Sequence, residues 1–317
     1  RHGRVQFLGQ NHRGHDPRHP TPVELVRCVP RRRGTEPWGV VKILDALKAR
    51  VDNGGTGSAL QDIYTNALTD LADSLLPTTP WGEDNFAKMQ GERRLRLYSK
   101  IMANRGDSKP DWWIIDQIAY RLGIPNFGYQ HPKAIFNELC SLSPIYTGLD
   151  WDRVADGAYQ WPVPEVGHPG TPILHQDEFP IGRGRFTVTN YRDPHETISE
   201  DFPVWLTTGR RLASYHTRTQ TGRAQGIDYL LAEEALEVHP DDVRDWGLID
   251  DDWCHLSSAR GTVKIRVKAT NRSPRGTVFA SFSFSDVPIN LLTGSGYDPI
   301  TETAELKVCP VRVEVLP

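Results

Sequence analysis

One donor-rich segment is the part of the chain best suited to bind a ligand. It covers residues 207–223 (TTGRRLASYHTRTQTGR) and begins inside a short apolar run that reads as a strand. Gly209 lets a ligand approach the backbone closely, hydroxyl and backbone N–H groups can line a polar ligand, and arginine suits bidentate recognition of phosphate. The composition supports a nucleotide or pyrophosphate site and a solvent-exposed polar loop about equally.

Other chemical motifs are weak. The sequence has no Ser-centred nucleophile elbow, no P-loop, no GxGxxG that opens a helix and no paired histidines at zinc spacing. Cys28, Cys140, Cys254 and Cys309 are widely separated, which predicts reduced thiols in a cytosolic setting rather than a disulfide framework or a metal cluster. The acidic run 250–252 suits a hard cation, but such a turn between strands is more often solvated.

Helices are predicted in the first half of the chain. Apolar residues at helical spacing predict a helix over 40–51, which the breaker 53–55 (NGG) ends. Ser108 as cap, with Pro110 and Asp111 in the first turn, predicts a helix that reaches Leu122. A third helix begins at Pro132, and residues 141–200 have the composition of a long ordered connection.

The second half is predicted to be built from strands. Apolar runs or alternating patterns occur at 204–208, 263–268, 278–284 and 311–315, and Pro240 opens a short helix that Gly247 closes. Several short strands with one small helix favour a closed or nearly closed β-barrel over a parallel sheet.

Composition and charge restrict the class of protein. The 317 residues suffice for two domains, and a net charge of −3 argues against a nucleic-acid-binding protein. No apolar run is long enough to span a membrane, and no basic-then-apolar leader opens the sequence. Residues 1–35 hold eight arginines against Asp16 and Glu24, which predicts an irregular basic segment lying over another surface, or an arm that grips an acidic partner.

Ordered motifs from about residue 60 to the end resemble one enzyme superfamily. The segment 207–223 resembles the cofactor loop of the molybdenum/tungsten bis-pterin oxidoreductases, the dimethyl-sulfoxide-reductase superfamily. The resemblance continues in further segments: 61–64 (QDIY), 72–77 (ADSLLP), 81–83 (WGE), 237–242 (EVHPDD), 246–252 (WGLIDDD), 257–261 (SSARG), 290–293 (NLLT), 298–300 (DPI) and 305–309 (ELKVC). One departure is Asp251, which stands where the family generally has glycine.

Four segments look most like formate dehydrogenase α subunits, namely 109–114 (KPDWWI), 139–144 (LCSLSP), 160–162 (QWP) and 168–171 (HPGT). Nitrate reductases share the cofactor loop and the C-terminal motifs, and residues 91–97 (GERRLRL) are closer to the arsenite-oxidase large subunit. Nitrate reductase and arsenite oxidase are therefore the alternatives of the same superfamily.

The resemblance implies an α/β plus β fold: the end of a Rossmann-like α/β domain, then a double-psi β-barrel of the aspartate-decarboxylase type that binds the pterin dinucleotide. The expected organisation is a basic irregular arm over 1–35, a partial α/β domain over 36–130, a connector over 131–200 and the cofactor-binding barrel over 201–317.

The resemblance also assigns cofactor-binding residues, position by position. They are Gln61, Asp62, Asp111, Thr208, Gly209, Arg210, Tyr215, His216, Thr217, Phe282, Asn290 and Lys307. His216 and Thr217 are expected nearest the substrate. Gln61, Asp62 and Asp111 are expected on the guanine side, where a carboxylate matches the N1–H and N2–H₂ donors of guanine. For Asp111 the alternative is a helix cap, and for Asn290 it is a structural turn.

The implied function is the cofactor-binding C-terminal part of a cytoplasmic oxidoreductase that oxidises formate to CO₂ or runs the reverse reaction. The cofactor would be bis-molybdopterin guanine dinucleotide with Mo or W, shared with an upstream catalytic and iron–sulfur part, and electron-transfer subunits are expected partners. No metal ligand, iron–sulfur cysteine or catalytic residue of the family matches a position in this sequence. A cofactor-less scaffold subunit is the alternative from another class.

Overall fold

The computed structural model describes residues 6–9, 21–25, 57–66, 68–125, 128–301 and 303–316. These residues divide into two compact units, which meet in sequence between Thr189 and Asn190. The predicted helix over 40–51 and most of the predicted arm 1–35 lie outside the described residues.

The strands are β1 Gln6–Gly9, β2 Thr21–Leu25, β3 Gly57–Asp62, β4 Ser74–Pro77, β5 Phe86–Met89, β6 Arg94–Tyr98, β7 Tyr159–Gln160, β8 Val204–Gly209, β9 Ala235–Val238, β10 Trp253–Ser258, β11 Gly261–Ala269, β12 Thr277–Ser281 and β13 Cys309–Val315. The helices are α1 Asp111–Arg121, α2 Pro132–Leu142, α3 Trp151–Asp156, α4 Gln225–Leu230 and α5 Pro240–Asp245.

The first unit contains a four-stranded sheet in the order β1-β2-β3-β4. Strands β2, β3 and β4 run parallel, whereas β1 pairs antiparallel with β2. Strands β1 and β2 fall within 1–35, for which the composition predicts an irregular arm; in these two stretches the backbone is paired. Because β3 and β4 are parallel, their carboxyl ends lie at the same edge of the sheet.

Helix α1 confirms the predicted helix but not its predicted cap. The Ser108 hydroxyl donates to the Arg105 carbonyl at 2.8 Å and lies 3.2 Å from Oε2 of Glu83. The residue at the cap position is Pro110, and no side chain caps the helix. The prediction of Ser108 as cap is wrong because the buried Glu83 and the preceding turn take its hydroxyl.

The region 131–189 contains more regular structure than its composition predicts. Helix α2 begins at Pro132 as predicted, with the His131 ring accepting the Lys133 N–H at 3.0 Å. Helix α3 and strand β7 follow, and β7 completes a three-stranded sheet with β5 and β6. A core of Leu95, Phe136, Cys140, Leu149, Val154 and Val163 joins these elements.

The second unit is a closed six-stranded barrel, which confirms the predicted barrel. Its strand order is β10-β11-β9-β12-β8-β13, with β8 parallel to β12 and β9 parallel to β11. Alternate residues of β8, β10 and β11 point inward, and the barrel interior is filled by branched apolar side chains such as Leu206, Leu256 and Ile265. The predicted strands at 204–208, 263–268 and 311–315 are present, whereas β12 ends at Ser281 rather than Phe284. In the described part of the chain no helix has the length and apolar character needed to cross a bilayer.

Three of the cysteines are buried and free. Burial raises the pKa of Cys254, inside the barrel, to about 12. Burial, with a smaller contribution from the charge of Asp150, raises the pKa of Cys140 to about 11. Since the thiolate is the reactive form, both thiols are chemically inert in the folded chain at neutral pH.

We expect Cys254 to resist alkylation by iodoacetamide in the folded chain and to react after unfolding in urea. Its folded pKa lies above the unfolded value of about 8.5, so its contribution to stability is full below that pH and is lost as the pH rises towards about 12. Peptide mass spectrometry reads the rate at each cysteine, with Ser285→Cys as an exposed control. Equal rates at Cys254 and at the Ser285→Cys site would contradict the burial.

Candidate functional site

Three chain segments meet at one end of the barrel. Strand β8 ends at Gly209, which pairs with Ser281 at the end of the parallel strand β12. Strand β13 runs antiparallel to β8, so the residues that precede Cys309 reach the same end. The topology therefore brings together the loop after β8, the loop after β12 and the approach to β13.

Thr208, Phe282 and Lys307, three of the predicted cofactor-binding residues, come together there. The Thr208 hydroxyl donates to the Leu306 carbonyl at 2.5 Å, and the Lys307 ammonium donates to the Thr208 carbonyl at 2.9 Å. The same ammonium lies 6.0 Å from the centre of the Phe282 ring. The strand end and the approach to β13 are thus cross-linked by side chains that the sequence separates by about a hundred residues.

Asn290 lies in a single 3₁₀ turn, Ile289–Leu291, in the segment between β12 and β13. Its backbone carbonyl accepts the Thr293 hydroxyl at 3.2 Å, and its half-buried side chain makes no hydrogen bond with a described residue. The backbone of Asn290 thus has a structural role in this turn, whereas the side-chain amide of Asn290 is available to a ligand.

Gly209 is required where β8 ends. A Cβ at this position would lie 2.5 Å from Cε2 and 2.9 Å from Cζ of Phe279, closer than real Cβ contacts. The absence of a side chain at Gly209 therefore permits the Phe279 ring to pack against the strand end, and it leaves the backbone open to close approach.

Beyond Gly209 the loop presents an exposed tip. Tyr215, His216 and Thr217 are all exposed, and the Tyr215 and His216 rings contact edge to face with centroids 4.5 Å apart. His216 and Arg218 have φ of 47° and 59°, in the left-handed region that non-glycine residues rarely adopt. Strained backbone of this kind persists only where neighbouring contacts hold it, and it concentrates at functional sites.

The four arginines of the loop have different roles. Arg211 and Arg218 are mostly buried in ion pairs, and Arg223 donates to the Thr219 carbonyl at 2.7 Å. Arg210 is exposed and makes no hydrogen bond or ion pair with any described residue. It lines an open cleft of about 350 Å³ together with Thr207, Arg272 and Phe279. Arg210 is therefore the cation of this loop that can meet an anionic ligand.

The carboxylate partners of Arg211 are Glu234 and Glu237, neither of which the sequence assigned to the site, and the Ser281 hydroxyl donates to Glu234. Burial by itself lowers the pKa of Arg211, but the hydrogen bonds and charges of Glu234 and Glu237 outweigh it and raise that pKa above its ordinary value. Glu237 belongs to the motif at 237–242, so a signal for it was present. Glu234 carries no comparable signal, because a buried glutamate reads as a surface charge in sequence.

The predicted guanine-side residues lie in the first unit. The structure brings two of them together and gives the third a different role. Gln61, at the end of β3, donates through its amide to Oδ1 of Asp111, and the Thr78 hydroxyl donates to the same oxygen at 2.9 Å. Oδ2 of Asp111 accepts no hydrogen bond from a described residue, so it is available to outside donors. Asp111 is the first residue of α1 and not its cap.

Asp62 is occupied by its own turn. Its Oδ1 accepts the backbone N–H of Ile63 at 2.7 Å and of Tyr64 at 3.3 Å, and Oδ2 accepts the Asn66 amide at 2.8 Å. The structure thus brings Gln61 and Asp111 together, whereas the carboxylate of Asp62 closes the turn after β3.

The acidic run 250–252 is likewise used by the fold. Asp250 accepts the Ala269 N–H at 2.7 Å, and Asp252 accepts the N–H of Trp253 at 2.7 Å. Asp251 has a φ of 66°, the conformation that favours glycine, and aspartate is among the few residues that tolerate it. Within the described ranges no three His, Cys, Asp or Glu side chains are grouped to hold a metal ion, so the cation alternative at 250–252 gains no support.

Two family models match the chain. Residues 60–121 match the molybdopterin oxidoreductase model, and residues 204–310 match the molydopterin dinucleotide binding domain. The second match covers β8 to β12, the first residues of β13 and the loop that carries Gly209 and Arg210.

Relatives and a solved structure agree with these matches. The F420-dependent formate dehydrogenase 2 subunit alpha of Methanococcus maripaludis is 36% identical over 80% of this chain and 38% of its own length. The assimilatory nitrate reductase catalytic subunit of Bacillus subtilis is 30% identical over 80% of this chain and 37% of its own length. Acetylene hydratase from Pelobacter acetylenicus has a TM-score of 0.63 at 16% identity, over 82% of this chain and 40% of that one. The chain spans less than two-fifths of the length of both relatives.

Proposed function

We propose that the chain, which matches the molybdopterin oxidoreductase and molydopterin dinucleotide binding domain models, belongs to the molybdopterin oxidoreductase family and forms the dinucleotide-binding portion of a formate-dehydrogenase-like enzyme. The observation that carries the proposal is the meeting of Thr208, Gly209, Phe282 and Lys307 at one barrel end, beside the unpaired Arg210. In this proposal the barrel is of the double-psi type, and β3, β4 and α1 close a Rossmann-like domain. The arm 1–35, partial α/β domain 36–130, connector 131–200 and barrel 201–317 are its four regions.

The barrel end fits an anionic dinucleotide. Gly209 leaves backbone accessible, and Arg210 supplies an uncompensated positive charge of the geometry that binds pyrophosphate. The Ser214 hydroxyl in the same loop is buried and has no partner among the described residues, so a donor or acceptor from a bound group would satisfy it. Together these three features favour a bound ligand over a purely structural loop.

The chain's own residues then bind and orient. Arg210 and Lys307 neutralise phosphate charge, while Tyr215, His216 and Thr217 line the side of the cofactor nearest the substrate. Asp111, positioned by Gln61 and Thr78, offers Oδ2 to the N–H donors on the edge of guanine. When bound, the molybdenum or tungsten centre held by two pterin guanine dinucleotides supplies the chemistry that converts formate to CO₂, a proton and two electrons.

Formate is proposed as the substrate because the formate dehydrogenase subunit is the more similar of the two relatives described above. The residues that touch formate, the metal ligand and the iron–sulfur cysteines are assigned to a further catalytic part, and electron-transfer subunits complete the assembly. Buried, unpaired thiols suit a reducing compartment, and a cytoplasmic location is proposed on that ground.

Metal content tests the proposal directly. The complex of this chain with the polypeptide that supplies the rest of the site is expected to contain molybdenum or tungsten, and the isolated chain is expected to contain neither. Elemental analysis of both preparations decides this. A complex without either metal would contradict the enzyme and support a scaffold, whereas metal bound stoichiometrically by the isolated chain would contradict a shared site.

Arg210→Ala is expected to lower the metal and pterin content of that complex about tenfold, since losing one charge-assisted phosphate contact costs about 1.5–3 kcal/mol. The measurement is cofactor per protein, from elemental analysis and the fluorescence of released pterin. Arg244→Ala removes an exposed arginine of α5 whose partners are Asp241 and Asp245, and it serves as the matched control. Equal losses in the two variants would remove Arg210 from the site.

A further inference from the structure

Two buried guanidinium groups bracket the exposed tip of the cofactor loop. Arg211 precedes and Arg218 follows residues 212–217, which include Tyr215, His216 and Thr217. Only 15% of the Arg211 side chain and 12% of the Arg218 side chain are exposed. Both side chains are thus mostly buried, although sequence alone offers them as phosphate ligands.

Arg211 is attached to strand β9 and its approach. Its Nε and Nη2 donate to Glu234 at 3.1 and 2.7 Å, its Nη1 donates to Glu237, and Nη2 also donates to the Ala235 carbonyl at 2.8 Å. Its guanidinium lies 5.1 Å from the centre of the Phe279 ring on β12. All three nitrogens of the guanidinium are therefore engaged.

Glu234 makes this attachment rigid. Its side chain is completely buried, its Oε2 accepts the Ser281 hydroxyl, and its Oε1 accepts the Ala235 N–H at 3.3 Å. Glu237 has a second cation, Arg272, 3.9 Å away. Two carboxylates and two guanidinium groups thus balance in charge, and the buried part of the cluster links β9, β12 and the loop.

Arg218 anchors the other end of the tip. Its Nη2 donates to Asp228 of α4, its Nη1 lies 3.4 Å from the Ala232 carbonyl, and its guanidinium stacks 4.0 Å from the centre of the Phe284 ring. The contact with Phe284 ties the tip to the segment that follows β12. The tip is therefore held on one side by contacts with β9 and β12, and on the other by contacts with α4 and the segment after β12.

The backbone between Arg211 and Arg218 is strained. Within it, the Ser214 N–H donates to the Arg211 carbonyl at 3.1 Å and the Arg218 N–H to the Tyr215 carbonyl at 3.0 Å. His216 and Arg218 occupy left-handed conformations. Each such residue costs about 1–3 kcal/mol, so the free loop would relax unless its ends were fixed.

We propose that Arg211 and Arg218 are positioning residues, which hold the strained tip 212–217 in place, while Arg210 is the arginine of this loop that faces the ligand. For Arg211 to bind a phosphate directly, the buried Glu234 would lose its partner, which costs more than the new contact returns. The inference rests on the proposed function, in that the tip is taken to contact the cofactor. It adds that the two neighbouring arginines have different roles: Arg210 contacts the ligand, and Arg211 positions the loop.

Hydrogen–deuterium exchange of the full chain without cofactor tests the positioning role. Arg211→Met and Arg218→Met are each expected to speed amide exchange in a peptide covering 212–223 about tenfold, because local opening of the tip becomes easier. Peptides from β10 are expected to keep their exchange rates. Arg210→Met, which removes a side chain without protein partners, is expected to leave the loop unchanged, as is the surface control Arg244→Met.

Two further variants guard against simple unfolding. Arg211→Lys keeps the charge but not the planar fork and is expected to be intermediate in exchange. Arg211→Met combined with Glu234→Gln and Glu237→Gln leaves no unpaired buried charge, so its barrel is expected to stay folded while its loop still exchanges fast. A loop that exchanges at the wild-type rate in that folded triple variant overturns the positioning role.

Cofactor content of the complex separates this inference from the function on which it rests. Arg211→Met and Arg210→Met are both expected to lower pterin content about tenfold, the first with faster loop exchange and the second without it. Faster exchange with unchanged pterin content would support the positioning role of Arg211 but contradict the proposal that this loop binds the cofactor. Lower pterin content with unchanged exchange would instead make Arg211 a direct ligand and overturn the proposal.

Discussion

Replacing Glu234 by alanine is expected to lower the free energy of unfolding of the chain by about 3–5 kcal/mol. Its carboxylate is completely buried and accepts hydrogen bonds from Arg211 and Ser281, so its removal leaves a mostly buried guanidinium short of a partner and a buried hydroxyl without an acceptor. Urea titration of the full chain, followed by tryptophan fluorescence, measures the loss.

Glu233→Ala is the matched control, because the neighbouring glutamate is mostly exposed and its nearest cation, Arg266, is 3.5 Å away. Exposed pairs contribute about 0–1 kcal/mol, so this variant is expected to remain close to the wild type. Glu234→Gln keeps the shape of the side chain and is expected to fall between the two. Similar losses for Glu233→Ala and Glu234→Ala would show that the buried cluster does not stabilise the barrel.

Gly209→Ala is expected to destabilise the chain by about 1–3 kcal/mol and to lower the cofactor content of the complex. The new Cβ would lie 2.5 Å from Cε2 of Phe279, and that ring cannot move freely because the Arg211 guanidinium packs over it. The displacement therefore reaches the anchor of the loop as well as the strand end. Unfolding in urea and released pterin are the two measurements.

Gly226→Ala provides the comparison, since a Cβ at Gly226 meets nothing within 4 Å and lies in helix α4. Alanine in a helix is favourable by up to about 1 kcal/mol, so this variant is expected to be neutral or stabilised. Adding Phe279→Leu to Gly209→Ala removes the clashing ring atoms and is expected to restore part of the stability. A Gly209→Ala chain as stable as the Gly226→Ala chain would refute the crowding at the strand end.

Several residues of the family motifs support loops rather than bind ligands. Asp242, from the motif at 237–242, accepts the Nε of Arg275 at 2.9 Å and the Gly276 N–H at 2.7 Å, and it is buried. Arg260, from 257–261, makes a two-point ion pair with Glu196 and donates to the Leu292 carbonyl. A motif residue is therefore not a ligand contact by default, and burial distinguishes the two cases.

Sequence pattern alone determined the parts of this protein that depend on local periodicity. The alternation at 263–268 and 311–315 predicted two barrel strands, and Pro132 predicted the start of α2, because these signals are short-range and not overridden by packing. The donor-rich segment 207–223 also predicted a ligand site after a strand, and the structure places the start of this segment at the end of β8. The prediction of Ser108 as a cap was wrong because its hydroxyl contacts Glu83, a partner twenty-five residues away that no local pattern reveals.

Tertiary structure alone decided which of several chemically equivalent residues remain available to a ligand. Arg210 and Arg211 are adjacent and identical in type, yet one is exposed and unpaired while the other is held by Glu234 and Glu237. Asp62 and Asp111 are both carboxylates expected at a guanine, yet one closes a turn and the other keeps an oxygen available. The physical reason is that hydrogen-bond partners distant in sequence consume the capacity of a charged group, and only the fold brings those partners within reach.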